Sequence, residues 1–354
     1  MWTTFHKVAG GVLAVQLALV AYTTTRHDDS APAKEVALWP GFDAAKLTKI
    51  AVYDRDHQTK PAVELARHDQ AWIVSSAFDY PVDATRIADL LTPLAKMAAA
   101  SPIATSPNRH KQLHVADADY ERKLVVSGPS GDRTLYVGTA AGARRTAVRF
   151  GGDDRVFAVD GVAAYLIGTD ARMWAETKYV DVGRDQLAKL ELARGDTHVV
   201  FTRAAPDRWD VTVDGKPVAP GKGEQLDTAL IDRVTADAAQ LDLAAPADPK
   251  RDASAPTATL TIEPKPAGAT GAASVAAHVV DVIADGDRYW VHERGRDRAI
   301  FVDKARLDSA ITLDPAKLIK KVDPPAATAV PPPSMPSAPP PMPGAPPPSP
   351  IDQR

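Results

Sequence analysis

Apolar residues recur along most of this chain in short runs with a period near two, and only a few stretches keep the longer period of a helix. The runs "LTKIAVYD" (47–54), "AVELAR" (62–67) and "AWIVSS" (71–76) alternate or cluster β-forming side chains, which predicts three strands. The period changes after "YPVD" (80–83). Asp83 stands where a helix cap would, and Ile87, Leu90, Leu91 and Leu94 fall at i, i+3, i+4 and i+7, one apolar stripe. Pro93 lacks the donor that a helix interior needs and is expected to distort this helix. Four more strands are predicted at "RKLVVSG", "RTLYVG", "RTAVRF" and "RVFAVD" (122–160), separated by Gly and Asp turns, and "GVAAYLIG" (161–168) reads as a short helix.

The same order returns downstream. "LAKLELAR", "THVVFTR" and "RWDVTVDG" (187–215) read as strands, Leu226, Leu230, Val234 and Leu241 as a helical stripe, and "ATLTIEP", "AAHVVDVIADGD", "RYWVHE" and "RAIFVD" (258–303) as strands again. Arg144–Asp160 lies over Asp287–Asp303 without a gap, with seven of seventeen positions identical, among them Arg145 with Arg288, Gly152 with Gly295, Asp154 with Asp297 and Asp160 with Asp303. A tight hairpin explains the match, since glycine supplies left-handed backbone and aspartate can bond the backbone beside it. Strands joined by hairpin turns, without βαβ alternation, predict an α+β fold: two tandem modules of antiparallel sheet with helices packed on one face. Trp72 and Trp209 sit inside alternating strands just before these helices and are expected in the two cores rather than at a binding site.

Two segments break the pattern. Val8–Tyr22 is a charge-free apolar run interrupted only by Gln16, with Lys7 before it and Arg26, Asp28 and Asp29 after it. Extended by Thr3–Phe5 and Thr23–Thr25 it can reach the ~20 residues of a membrane span, and no small-x-small cleavage site follows Tyr22 directly. The expectation is an uncleaved single-pass anchor in the inner membrane with the remainder in the periplasm or outside; a removable signal peptide is the alternative. At the other end, about half of Pro324–Pro350 is proline, which predicts a disordered tail favouring polyproline II. The expected boundaries are 1–25 for the anchor, 26–43 for a polar stalk, 44–182 and 183–321 for the modules, and 322–354 for the tail.

Composition removes several functions. A net charge of −3, from 42 basic and 45 acidic residues mixed along the chain, leaves no basic stripe for nucleic acid. The absence of cysteine excludes disulfides, thiolate metal sites, a cysteine nucleophile and a lipidated cysteine. His110 and His114 have helical ligand spacing and Asp117 lies nearby, but Lys111 replaces the Glu of a zinc protease, so a solvated polar segment is expected. "HERGR" from His292 and Glu293 carries Arg296 where a second His is needed. "SGPSGD" (127–132) fails the nucleophile-elbow spacing because Gly131 follows Ser130, and Lys222 is followed by Gly223 rather than Ser or Thr. Asp153 and Asp154, "ARGDTH" (193–198) and "RGRDR" (294–298) all read as turns. No catalytic, cofactor-binding or metal residue is therefore assigned, and no cofactor is expected.

The succession "W-x-V", "YPVDATRIADLLTPLAKM", "RTLYVG", "AVRFGGDDRVFAVD" and "DARMW" resembles the bacterial family catalogued as domain of unknown function 4340, well over residues 47–182 and more loosely beyond. The resemblance implies a membrane-anchored extracytoplasmic protein associated with components of gliding-type ABC transport systems, and carries over no catalytic residue. The expected function is that of a binding or scaffold protein, not an enzyme, accessory to such a system. The partners expected are the membrane, through the N-terminal helix, and a transporter or envelope protein. The alternatives are a cell-envelope hydrolase with its site between the modules, and a structural tether acting through the tail.

Overall fold

A computed structural model describes residues 34–266 and 276–322, together with residue 16. Apart from residue 16 the expected anchor lies outside these residues, as do residues 26–33 of the stalk and nearly all of the tail. Among the described residues no helix is long and apolar enough to cross a membrane. The described residues are mostly antiparallel sheet with three α-helices, an α+β fold.

The first sheet is built from β1 (Lys49–Tyr53), β2 (Val63–His68), β3 (Ala71–Val74), β4 (Tyr80–Pro81), β5 (Arg122–Gly128), β6 (Gly131–Ala140), β7 (Arg145–Phe150) and β8 (Val156–Asp160). Its spatial order is β4-β3-β2-β1-β5-β6-β7-β8, with the helix α1 (Ala84–Lys96) inserted between β4 and β5 in the chain. The second sheet uses β9 (Leu187–Arg194), β10 (Thr197–Ala205), β11 (Arg208–Val213), β12 (Lys216–Pro217), β13 (Ala245–Ala247), β14 (Ala258–Pro264), β15 (His278–Asp285), β16 (Arg288–Glu293) and β17 (Ala299–Asp303). Its order is β12-β11-β10-β9-β14-β15-β16-β17-β13, with α2 (Thr228–Ala239) inserted after β12. Apart from the added edge strand β13, the two orders run in step. A smaller parallel accompanies them. In each half a short strand before the sheet, Val36–Ala37 or Lys178–Asp181, pairs with the segment just after the helix, Ala98–Ala99 or Gln240–Asp242.

Local chemistry explains the elements. Asp83 caps α1 by accepting from the backbone N–H of Thr85 at 2.7 Å and of Arg86 at 3.3 Å, and Ile87, Leu90, Leu91 and Leu94 are the helix's buried residues. Pro93 lies inside α1 without ending it. α2 departs from the sequence reading: its buried positions are Ile231, Val234, Thr235, Ala238 and Ala239, while Leu226 and Leu230 are partly buried and Leu241 belongs to the strand that follows. Small alanines let this helix approach its sheet closely, so a stripe sought among large residues drifts off the true face. Residues 164–166 make a single 3-10 turn rather than the short helix expected over 161–168. A third helix, α3 (Lys304–Ile311), follows β17 and packs Leu307, Ala310 and Ile311 into the second core.

Trp72 and Trp209 are both buried, one in each main core. Their registers correspond as well, since Trp72 stands opposite Arg67 and Trp209 opposite Arg203. The β7–β8 and β16–β17 turns carry Gly152 and Gly295 at φ of 77° and 86°, the left-handed backbone that only glycine adopts freely. The aspartate that closes the first turn is Asp153, accepting from the Arg155 backbone N–H at 2.9 Å, and not Asp154.

Five tyrosines hold their protons more tightly than a free phenol. Burial is the first cause for Tyr80, Tyr120, Tyr136, Tyr179 and Tyr289, and Tyr136 is pushed up to about 12. A raised folded pKa gives stability that is complete below the unfolded value of about 10 and is lost as pH rises through the folded values. The urea midpoint should therefore fall once pH passes about 10, with the absorbance of these five tyrosinates appearing only as the chain unfolds. Titration of all tyrosines near their free value with no loss of structure would contradict this burial.

Candidate functional site

The two sheets meet at a seam that begins in an unusual turn. Between β3 and β4 the backbone of Phe78 and Asp79 takes φ of 58° and 54°, left-handed values that cost L-residues about 1–2 kcal/mol each. The turn is closed by the N–H of Ala77 donating to the Val74 carbonyl at 2.9 Å and that of Tyr80 to the Ala77 carbonyl at 3.2 Å. Its product is the placement of Tyr80, which leaves the edge of the first sheet and is buried in the core of the second. Burial of Tyr80 pins the turn, and Phe78 is left 52% exposed at its tip.

Tyr80 enters a polar network. The Arg298 guanidinium lies 5.5 Å from the Tyr80 ring centroid and 6.0 Å from that of Tyr179, and donates to Glu176 Oε2 at 2.8 Å. Burial pulls the Arg298 pKa down, but Glu176 and the two tyrosines outweigh it and hold it above the ordinary value. The Tyr179 hydroxyl donates to the Arg298 carbonyl at 2.7 Å and accepts from the Glu293 backbone N–H at 2.9 Å. Arg296 donates to the Tyr179 carbonyl at 2.6 Å and pairs with Glu293 at 2.7 Å, and Glu293 also meets His278 Nδ1 at 2.8 Å. Main-chain bonds complete the seam: the N–H of Asp83 donates to the Trp174 carbonyl at 2.8 Å, and that of Glu176 to the Pro81 carbonyl at 3.0 Å.

In front of this network opens a cleft of about 650 Å³. One wall carries His68, Ile73, Phe78, Asp79 and Pro81 from the first sheet; the other carries Asp248, Pro249, Lys250, Asp297 and Arg298 from the second. Both signs of charge and an exposed aromatic ring therefore face one opening, a mixture suited to a peptide-like surface with apolar and charged side chains.

The motifs singled out in the sequence do not converge elsewhere. His110 is buried, not solvated as expected, with Nε2 on the Asp154 carbonyl at 2.8 Å; His114 Nδ1 meets Asp119 at 3.0 Å; Asp117 is held by Arg149. Arg149 is itself buried and donates to the Val115 carbonyl at 2.7 Å, so this group is a structural polar core. Among the described residues no three His, Cys, Asp or Glu side chains are grouped to hold a metal. Ser127 and Ser130 lie at the β5–β6 hairpin, and Lys222 lies in the loop after β12. His292 Nε2 donates to the Arg296 carbonyl of its own turn at 2.8 Å. In "ARGDTH" the Arg194 guanidinium is committed to the carbonyls of Ile311 at 2.6 Å and Leu313 at 3.0 Å, fastening α3 to β9. Asp28 and Asp29 lie outside the described residues.

"RGRDR" proves to be more than a turn, because Arg296 and Arg298 build the seam and Asp297 lines the cleft. The residue that sequence reasoning missed is Phe78. Its signal was present in "SSAFDYP", a large aromatic placed among turn-forming residues where glycine or asparagine is usual.

A family model described as Domain of unknown function (DUF4340) matches residues 72–260, a span that runs from Trp72 in β3 across the seam to Leu260 in β14. No curated protein and no solved structure matches the chain.

Proposed function

This chain belongs to the DUF4340 family, and on that premise we propose that it is a membrane-anchored extracytoplasmic binding or scaffold protein, accessory to an ABC-type transport system. Two duplicated modules form its body, and the cleft between them takes the partner. The matching strand orders and the corresponding Arg–Trp registers favour duplication. The apolar run Val8–Tyr22 favours the anchor. The observation that carries the binding reading is Phe78, a half-exposed aromatic held in strained backbone at the rim of the cleft. Strain of this kind persists where a fixed presentation of the side chain is useful, and exposed aromatics beside a charged rim are the usual anchors of a partner.

Phe78→Gly separates presentation from stability. Glycine relieves the left-handed strain while removing the ring, so the unfolding free energy from urea titration should hold or rise by up to about 1 kcal/mol. Loss of an anchoring aromatic weakens a partner by about 2 kcal/mol, roughly thirtyfold. The full chain solubilised from its own membranes should therefore bring down a transport-system component that the Phe78→Gly chain does not. Undiminished recovery of the same partner with the variant rejects the cleft as its site.

The second reading is a hydrolase acting in the same cleft, favoured by Asp79, Asp248 and Asp297 facing one opening with His68. An envelope polymer that the chain cleaves, with cleavage lost in an Asp79→Asn or Asp297→Asn variant that still binds it, would select this reading over the scaffold.

A further inference from the structure

Apart from the cleft, the first half carries an apolar groove beside the second turn of α1. Arg86, Asp89 and Pro93 form one side, Leu166 and Met173 the other, and Trp174 lies behind. Its volume is about 260 Å³. Tyr165 is 77% exposed, Leu166 53% and Met173 49%, a cluster of large apolar residues left in water by neighbouring 3-10 turns. Isolated exposed residues of this type need no explanation, but a contiguous group around a groove marks a contact surface. The groove also has a hydrogen-bonding character. The Trp174 indole N–H is already spent on the Gly168 carbonyl at 2.9 Å, which fixes the ring as a wall. Arg86 and Asp89 bring one exposed charge of each sign to its α1 side, and Tyr165, next to Leu166 in the chain, carries an exposed phenol.

We propose that the groove is covered by this chain's own residues 324–350. Three features favour that occupant over others. The segment is uncharged along its whole length and is made of proline, alanine, serine, methionine and a few other small or apolar residues, so it matches an apolar floor without leaving a charge unpaired. Fourteen of its 27 residues are prolines without an N–H, so its backbone offers about twice as many carbonyl acceptors as donors, which the exposed Arg86 guanidinium complements. A polyproline II strand is preformed, so docking it costs little ordering entropy, and proline rings pack well on aromatic and methionine side chains. Reach is sufficient. The described chain ends at Val322, after a short strand paired to Glu224–Leu226. Twenty polyproline II residues span about 60 Å, and a body of this size has a radius of gyration of only about 19 Å. The tail is then an intramolecular ligand, and it competes with any partner that needs the same face.

The test uses the full chain in its membrane, with Tyr165→p-benzoylphenylalanine as a photocrosslinking probe. Photoadducts should map to residues 324–350. In a mixture of isotopically light and heavy chains they should join segments of like label. Leu166→Asp in the same background, an exposed change that leaves the urea midpoint in place, should abolish the adduct. Adducts to lipid, to another protein, to a second copy of the chain or to residues 1–33 would each overturn the proposal, as would the absence of any adduct or an adduct indifferent to Leu166→Asp.

Discussion

Trp209→Ala should lower the stability of the second module by about 3–5 kcal/mol, the range for removing a large aromatic from a close-packed interior. The residue is 3% exposed and sits in the larger of the two main cores. Two polar partners make the loss worse than a cavity alone. The indole N–H donates to Asp232 at 3.0 Å, and the Arg203 guanidinium lies 4.1 Å from the ring centroid with its Nε and Nη2 buried and without another partner. Deleting the ring removes the aromatic face from a cation whose other partner among the described residues is the Pro206 carbonyl, bound by Nη1 at 2.5 Å. Trp209→Phe keeps most of the packing and should recover more than half of the stability. Equilibrium urea unfolding of both variants measures the difference. A cost below about 1 kcal/mol for the alanine variant would show that the ring is not part of the core.

Gly138→Ala should be the most damaging single-methyl change in the first module, at about 3 kcal/mol or more, where overpacking usually costs 1–3. A Cβ at this position would lie 1.9 Å from the Leu113 carbonyl oxygen, 2.8 Å from Val115 Cγ1 and 2.9 Å from the His114 carbonyl oxygen. Two of these atoms are backbone, so no side-chain rotation relieves the clash. The loop from His110 to Val115 must lift off β6, and Arg149 then loses the Val115 carbonyl that it holds at 2.7 Å. Amide exchange should show the loop opening together with β7, on which Arg149 stands. A Gly138→Ala protein with wild-type unfolding and an unchanged loop would refute this account of the contact.

The contrast between these two sites shows what the sequence could disclose. Trp209 was legible because its position in an alternating strand, before a helical stripe, is local information, and its echo at Trp72 repeated the message. The hairpin turns at Gly152 and Gly295 were legible for the same reason. Gly138 reads as an ordinary strand residue, and only the arrival of a loop from residues 110–115 makes it irreplaceable. Tyr80 is similar: it stands in the "YPVD" stretch where the strand period ends, and nothing local tells that its ring belongs to the neighbouring core. Arg149, buried with three backbone carbonyls and Asp117 as partners, violates the expectation that arginine faces water, and no periodicity announces such a group. The seam and the cleft were illegible as a whole, because they combine residues 68–81 with 176–179 and 248–298, and pairing across that distance leaves no trace in a single sequence.

The borders of the two sheets bear on how the chain behaves at high local concentration. Proline occupies three of the four outermost strands, at Pro81, Pro217 and Pro246, and the fourth, β8, has its outer side occupied at Val156 by a bridge to Ala104. Proline presents no donor to an incoming strand, so the ladders end where they are and neighbouring molecules cannot extend them into fibres. Such borders let many copies stand side by side without polymerising, and they leave side-chain surfaces, rather than main-chain pairing, as the means by which this protein recognises anything else.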